Sequence, residues 1–257
     1  MKNKGGIVQS ILQWKLFRII SEKYPKTYTF ILRRVSLDYF RGLPLTLIII
    51  TSIANAFLFF EIAEKIENGQ FLQTIDFSIA NLFHANRINF IARGLYLFTQ
   101  LGSLFFVSLI TLIASFYFLY KKYFAHIISL CSAVIGSSLT VLIGKSHFLR
   151  VRPTDLSYYK EFSYSFPSGH STIAVAFYGL LFYFYIRSLS NFKTKSLMTV
   201  IALIFIFLLG FSRIYLCVHY LSDVLAGFSL GFLWFLFAVS IVEWNYKNKY
   251  SESPKPN

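Results

Sequence analysis

Residues Tyr164–Ile186 read YSFPSGHSTIAVAFYGLLFYFYI, a Pro-Ser-Gly-His cluster at the lip of an uncharged apolar run. A helix of about 20 apolar residues crosses a hydrocarbon core roughly 30 Å thick, and shorter runs reach across by borrowing flanking polar or snorkelling residues. Ser171–Ile186 fits that description. So do five more uncharged blocks: Gly42–Phe60, Gly94–Tyr120, Tyr123–Gly144, Ser196–Ser212 and Val224–Val242. The pattern predicts an all-α polytopic membrane protein with six transmembrane helices. A proline, a glycine and a titratable side chain at the mouth of one span then call for an explanation.

Composition agrees with that fold class. Of the 257 residues, 56% are apolar and only 14% charged, a balance that a soluble domain of this size rarely shows. The net charge of +14 would suggest nucleic acid in a soluble protein, but here it sorts by side. Six spans put both termini and the turns around Lys121–Lys122 and Arg187–Lys195 together. Those segments hold 9 Lys and Arg before the first span, 5 in the two turns and 3 in the tail, against 8 on the opposite side. Positive residues favour the cytoplasm. Both termini are therefore expected in the cytoplasm of a multi-pass plasma (inner) membrane protein, with no nucleic-acid partner.

Three segments follow: a basic amphipathic cytoplasmic stretch over 1–41, a six-helix domain over 42–244 and a polar, disordered cytoplasmic tail over 245–257. In the first, Ile7, Ile11 and Trp14 share one helical face suited to anionic lipid heads. It has no compact apolar core ahead of a small-residue cleavage site, so it does not read as a signal peptide. Within Glu61–Arg93, Phe71, Leu72, Ile75, Ile79, Leu82 and Phe83 recur at helical spacing. They predict a helix on the outer interface or over the bundle, with His84 an interfacial polar group. His126 reads as a satisfied polar residue or a cytoplasmic-interface group. Cys131 and Cys217 fall at different depths and are expected to stay unpaired. Neither an internal repeat nor a nucleotide-binding glycine loop is present.

Polar residues gather at one end of the last four spans. The third span closes with GKSHFLRVRPTD, carrying Lys145, Arg150, Arg152 and Pro153. The fourth opens with Pro167-Ser168-Gly169-His170. The fifth and sixth meet within FSRIYLCVHYLSDVLAG, which carries Ser212, Arg213, His219 and Asp223. Alternating topology brings all three to the extracytoplasmic face. Charged groups near lipid are costly and tend to mark function.

Arginines and a lysine gathered together bind an oxyanion, and arginine offers the bidentate geometry phosphate accepts. Ser168 and Gly169, where the chain turns into a helix, can present free N–H groups to an anion. His219 and Asp223 are spaced i, i+4, so on a helix the carboxylate can reach the imidazole and fix its tautomer. That leaves His219 one free nitrogen as nucleophile and His170 as a second acid/base. Arg150 and His147 read as pocket rim or solvated loop. The pattern is that of a phosphoryl-transfer site.

Lys145 with six residues before Arg152-Pro153, then Pro167-Ser168-Gly169-His170, then Ser212-Arg213 with five residues before His219 and three before Asp223, resembles the tripartite signature of the type 2 phosphatidic acid phosphatase (lipid phosphate phosphatase) superfamily. No signature position is substituted, and the resemblance covers roughly Gly94–Trp244. It implies that His219 attacks phosphorus to give a phosphohistidine while Asp223 orients it. His170 would protonate the leaving oxygen and then activate water. Lys145, Arg152, Arg213, Ser168 and the Gly169 amide would hold the phosphoryl oxygens. It also implies a reaction without metal or other cofactor, acting on a membrane lipid phosphate in the cell envelope.

Two other readings remain at this point: a lipid phosphotransferase using the same site, and a transporter or scaffold that kept the pocket. Only 13 residues separate Pro153 from Pro167, so no domain rises over the site to read a large head group. Three cations balance a diphosphate better than a monoester. Undecaprenyl diphosphate is thus the first expectation for substrate, followed by phosphatidylglycerol phosphate, phosphatidic acid and lipid A phosphates.

Overall fold

The computed structural model describes residues 42–251 together with Tyr24, Lys26, Arg34 and Phe40, with side chains up to Asn245. The amphipathic face expected from Ile7, Ile11 and Trp14 lies outside the described residues. The chain divides into a small unit, residues 1–51 with 246–257, and a larger one, residues 52–245, which contains every motif above.

The described residues are helical, with turns and no strand among them. The helices are α1 (Leu43–Asn68), α2 (Gln70–Ala85), α3 (Asn89–Thr99), α4 (Leu104–Tyr120), α5 (Phe124–Phe148), α6 (Gly169–Ser188), α7 (Phe192–Tyr215) and α8 (Leu221–Ser251). Five are long and apolar enough to cross a membrane. The sixth span is α3 and α4 together, bent by 46° at a short break. Phe177, Leu180, Leu130, Leu209 and Ala238 pack at the centre of the bundle, fully buried. Large apolar side chains such as Leu112, Phe116, Ile204 and Phe207 point outward, as a lipid-facing surface requires.

Several boundaries depart from the expected blocks. α1 runs to Asn68 because the polar turn after the apolar block is still helix-forming, with a Glu61–Lys65 ion pair at i, i+4. α8 continues to Ser251, so the start of the segment expected to be disordered is helical. The second span does not run straight. After Thr99 it tightens into a 3₁₀ turn, Gln100–Gly102, and restarts at Leu104, where the Ser103 hydroxyl accepts from the Phe106 amide (3.5 Å). Single π turns interrupt α5 at Ser132–Gly136 and α6 at Ala174–Tyr178.

The helix expected between the first two spans is α2, with Leu72, Asp76, Ala80 and Phe83 on its inward face. Two glycines on α8 set the approach of α6. A Cβ at Gly227 would lie 2.6 Å from the Ser168 carbonyl oxygen, and one at Gly231 would lie 2.3 Å from that of Thr172. Small residues four apart let two helix backbones meet this closely. The Pro-Ser-Gly-His turn is thereby pressed against the helix that carries Asp223. His126 sits among the rings of Phe118, Tyr123 and Phe184, away from the motifs. Both cysteines are free, as expected.

Candidate active site

α5 ends at Phe148, and Leu149 takes a left-handed conformation (φ 46°) that turns the chain across the mouth of the bundle. A second such residue, Cys217 (φ 50°), turns the chain after α7. Non-glycine residues adopt this region at a cost and tend to cluster at functional sites. Here the two turns bring residues 150–168 and 216–220 face to face.

Arg152 joins the two segments. Its Nε donates to the Ser163 carbonyl (2.6 Å), and Nη1 donates to the Val218 carbonyl (2.6 Å) and to His219 Nε2 (3.0 Å). Nη2 donates to Ser163 Oγ (3.0 Å). Lys145, from the last turn of α5, reaches the same strip, donating to Ser163 Oγ (2.8 Å) and the Tyr164 carbonyl (2.7 Å). Arg213 comes from the end of α7 and is fully buried. Its Nη1 donates to Thr99 Oγ1 (3.2 Å) and Tyr159 OH (2.5 Å), while its Nε has no hydrogen-bond partner among the described residues. Thr99, the last residue of α3, lies on the same buried face of that helix as Ala92.

Glu161 spans the two arginines. One carboxylate oxygen accepts from Arg213 Nη2 (2.6 Å) and from Tyr159 OH (3.3 Å), and the other lies 3.6 Å from Arg152 Nη2. Burial alone would raise its pKa, but Arg213 and then Arg152 outweigh burial and hold the carboxyl below its ordinary value.

His219 is 2% exposed and lies in the turn before α8. Because a guanidinium only donates, the contact with Arg152 gives Nε2 the lone pair and Nδ1 the proton. Burial pushes the imidazole pKa well down, and the charges of Arg152, Arg213 and Lys145 push it further, so the ring is neutral. Nδ1 faces Ser165 Oγ at 3.3 Å and Asp223 Oδ2 at 3.5 Å. Ser165 in turn donates to Asp223 Oδ2 at 2.5 Å.

The expected helical i, i+4 pairing is therefore corrected. His219 and Asp223 do not share a helix, since α8 begins at Leu221. Asp223 folds back over that helix start, where Oδ2 also accepts from the Tyr220 amide (2.9 Å). Ser165 stands between carboxylate and imidazole.

His170, half-buried in the first turn of α6, lies within electrostatic reach of Arg213, His219, Arg152 and Lys145. Its ring rests on the broken span: a Cβ at Gly102 would stand 2.8 Å from His170 Cδ2. Ser168 is fully buried and is placed differently from the reading that aims it at phosphate. Its amide donates to the Asp223 carbonyl (3.1 Å), and its hydroxyl accepts from Ser171 Oγ (2.9 Å). Gly169 opens α6.

Arg150 is the largest correction to the sequence reading. It is neither rim nor solvated loop: its side chain is 12% exposed and forms ion pairs with Asp223 Oδ1 (2.6 Å) and Asp76 Oδ2 (2.7 Å). His147 does lie exposed, edge-on to Phe148. The structure thus brings together Lys145, Arg152, His170, Arg213, His219 and Asp223. It adds Ser165, Glu161, Tyr159, Thr99, Arg150 and Asp76. Asp76 alone had left a trace in sequence, as an acid on the apolar face of an amphipathic helix.

Fold and site together place cations and two histidines at one end of a membrane-spanning helical bundle. Residues 126–247 match the model of the PAP2 superfamily, and the chain belongs to that family. It is 36% identical over 187 residues to phosphatidylglycerophosphatase B of Bacillus subtilis (strain 168), a match spanning 70% of this chain and 90% of the relative. Among solved structures it resembles a transmembrane PAP2-type phosphatidylglycerolphosphate phosphatase from Bacillus subtilis, with a TM-score of 0.69 and 29% identity over 79% of this chain and 98% of that one. The fold also matches Aquifex aeolicus LpxE, with a TM-score of 0.52 and 22% identity over 64% of this chain and 94% of the other.

Proposed function

We propose that this protein hydrolyses the terminal phosphomonoester of a membrane glycerolipid, phosphatidylglycerol phosphate first, on the extracytoplasmic face. The observation that carries the reading is the neutral His219 ring, whose Nε2 lone pair is turned toward Arg152 beside Lys145 and Arg213. The phosphoryl group takes over the N–H that Arg152 gives Nε2, which frees the lone pair for in-line attack. The Nε2–P bond forms as the P–O bond to lipid breaks, and His170 delivers a proton to the departing alkoxide. The positive charge left on the imidazole is stabilised through Ser165 by Asp223. In the second step water attacks phosphorus, His170 accepts its proton, and inorganic phosphate leaves with His219 restored. Phosphoryl transfer depends mainly on positioning and charge, which three fixed cations supply without a metal.

The names carried by the relatives at 36% and 29% identity support phosphatidylglycerol phosphate as the first choice of substrate. With Glu161 moved aside the three cations suit a diphosphate, which keeps undecaprenyl diphosphate as the second reading. Purified protein in matched micelles should release phosphate from phosphatidylglycerol phosphate with EDTA present. A hundredfold higher kcat/KM on undecaprenyl diphosphate, about 2.7 kcal/mol of transition-state binding, would reverse the order of substrates. The excess of basic residues in the termini and two turns supports cytoplasmic termini. A cysteine label at Tyr158 should then react with an impermeant reagent in intact cells, and shielding there would place the chemistry inside.

A further inference from the structure

Arg150 stands at a junction of three structural elements. Its guanidinium donates to Asp223 Oδ1 and to Ser222 Oγ (2.7 Å) on α8, and to Asp76 Oδ2 on α2. Its own carbonyl accepts the Ser165 amide (2.8 Å). Asp76 is fully buried and holds the other side of the junction: Oδ1 accepts the Ser222 amide (3.0 Å) and Oδ2 the Ser222 hydroxyl (2.5 Å). The Tyr220 ring covers the guanidinium, 4.5 Å from centroid to Cζ. Burial would lower the Arg150 pKa, but Asp223 and Asp76 outweigh burial and raise it, so the charge is permanent.

Arg150 therefore reaches both oxygens of Asp223. It grips Oδ1 directly, and through its carbonyl it sets the backbone of Ser165, whose hydroxyl binds Oδ2 and faces His219. A carboxylate with one oxygen held in this way cannot rotate about its last torsion, so the other oxygen keeps its direction. Asp76 prevents Arg150 from following Asp223 or turning to solvent, because it occupies the second fork of the guanidinium. Of these linked residues only Asp223 and His219 are signature positions; Arg150, Asp76 and Ser165 are not. The linkage ties α2, which carries no motif residue, to the imidazole.

We propose that Arg150 and Asp76 are positioning residues, which hold Asp223 and Ser165 so that the His219 ring stays in its attacking tautomer and orientation. The inference rests on the reading of His219 as nucleophile. Neither residue touches the phosphate cations, so binding and chemistry should separate when the junction is broken.

The experiment measures two quantities on full-length protein in detergent: the single-turnover rate of phosphoenzyme formation and the Ki of inorganic phosphate as competitor. Arg150→Met and Asp76→Asn should slow phosphoenzyme formation by about 30-fold or more while Ki moves less than about threefold. Arg150→Lys, a point charge that cannot fork, should recover part of the rate. Arg150→Met leaves the buried Asp76 and Asp223 carboxylates without their shared cation, so the double variant Arg150→Met/Asp76→Asn is included. It removes one charge of each sign, leaves Asp223 alone without Arg150, and should melt closer to the wild type than Arg150→Met yet remain slow. A double variant that folds and forms phosphoenzyme at the wild-type rate would overturn the inference. So would a parallel loss of rate and phosphate binding in all folded variants. Were wild type to turn over with no phosphoenzyme on His219, the underlying reading would fail first, and that result is separable because it needs no variant.

Discussion

Glu161 lies between Arg213 and Arg152, where the proposed reaction would hold the phosphoryl group, and replacing it by glutamine should tighten the site. Its carboxylate bonds to Arg213 at 2.6 Å, lies 3.6 Å from Arg152, and its side chain is 25% exposed. A hydrogen bond to a charged group contributes roughly 1.5–3 kcal/mol when buried, and an exposed ion pair roughly 0–1 kcal/mol. Partial exposure puts Glu161 between these, at about 1–2 kcal/mol, or about 5–30-fold in binding of any anion that displaces it. Glutamine keeps the shape and loses the charge. The assay is competitive inhibition by inorganic phosphate against a short-chain lipid monophosphate in detergent. Glu161→Gln should lower Ki by about 5–30-fold with kcat changed less than about threefold. Because Arg213 and Arg152 hold the carboxyl below its ordinary value of 4.5, the ratio of the two Ki values should stay constant from neutral pH down toward that value. It should shrink only as pH falls through the lowered pKa and the carboxylate takes a proton. An unchanged or higher Ki in Glu161→Gln would refute the idea that this side chain competes with phosphate.

The acid limb of kcat/KM should lie below the ordinary histidine value of 6.5, because burial and the neighbouring cations lower the His219 pKa; a limb above 6.5 would contradict a neutral nucleophile. Gly102→Ala should displace the His170 ring, whose Cδ2 would lie 2.8 Å from the new Cβ. Phosphoenzyme formation from an alkyl phosphate should then slow more than from a nitrophenyl phosphate, which needs no proton to leave. Gly231→Ala places a Cβ 2.3 Å from the Thr172 carbonyl oxygen and should destabilise the protein by about 1–3 kcal/mol, read as a lower Tm.

Span number and site location could be read from sequence because each depends on a strong local signal. Uncharged length marks a helix that must satisfy its backbone within lipid, and three separated motifs gave cations and histidines one address. Direction within a span carries no such signal. The break at Gly102–Ser103 removes no apolar residue, so Gly94–Tyr120 reads as one straight helix. The spacing of His219 and Asp223 was informative, but its geometry was not. A separation of four serves a helical face and equally an aspartate that folds back to cap the helix start, and only the position of Leu221 decides between them. Arg150 was misjudged because its partner Asp76 lies far off in sequence, and a charge next to a loop is normally solvated. Glu161 has the same difficulty: nothing in ordinary loop chemistry announces that its carboxylate will turn inward between two arginines.

The proposed reaction turns on His219 as the nucleophile, attacking through Nε2. It is tested most directly by quenching the enzyme under alkaline conditions during turnover of a ³²P-labelled lipid monophosphate, then locating the label by peptide mass spectrometry. The expected product is an acid-labile, base-stable phosphohistidine at His219, carried on Nε2, formed no slower than turnover and absent from His219→Ala. Label on His170 or another residue, or sustained turnover by His219→Ala, would contradict it.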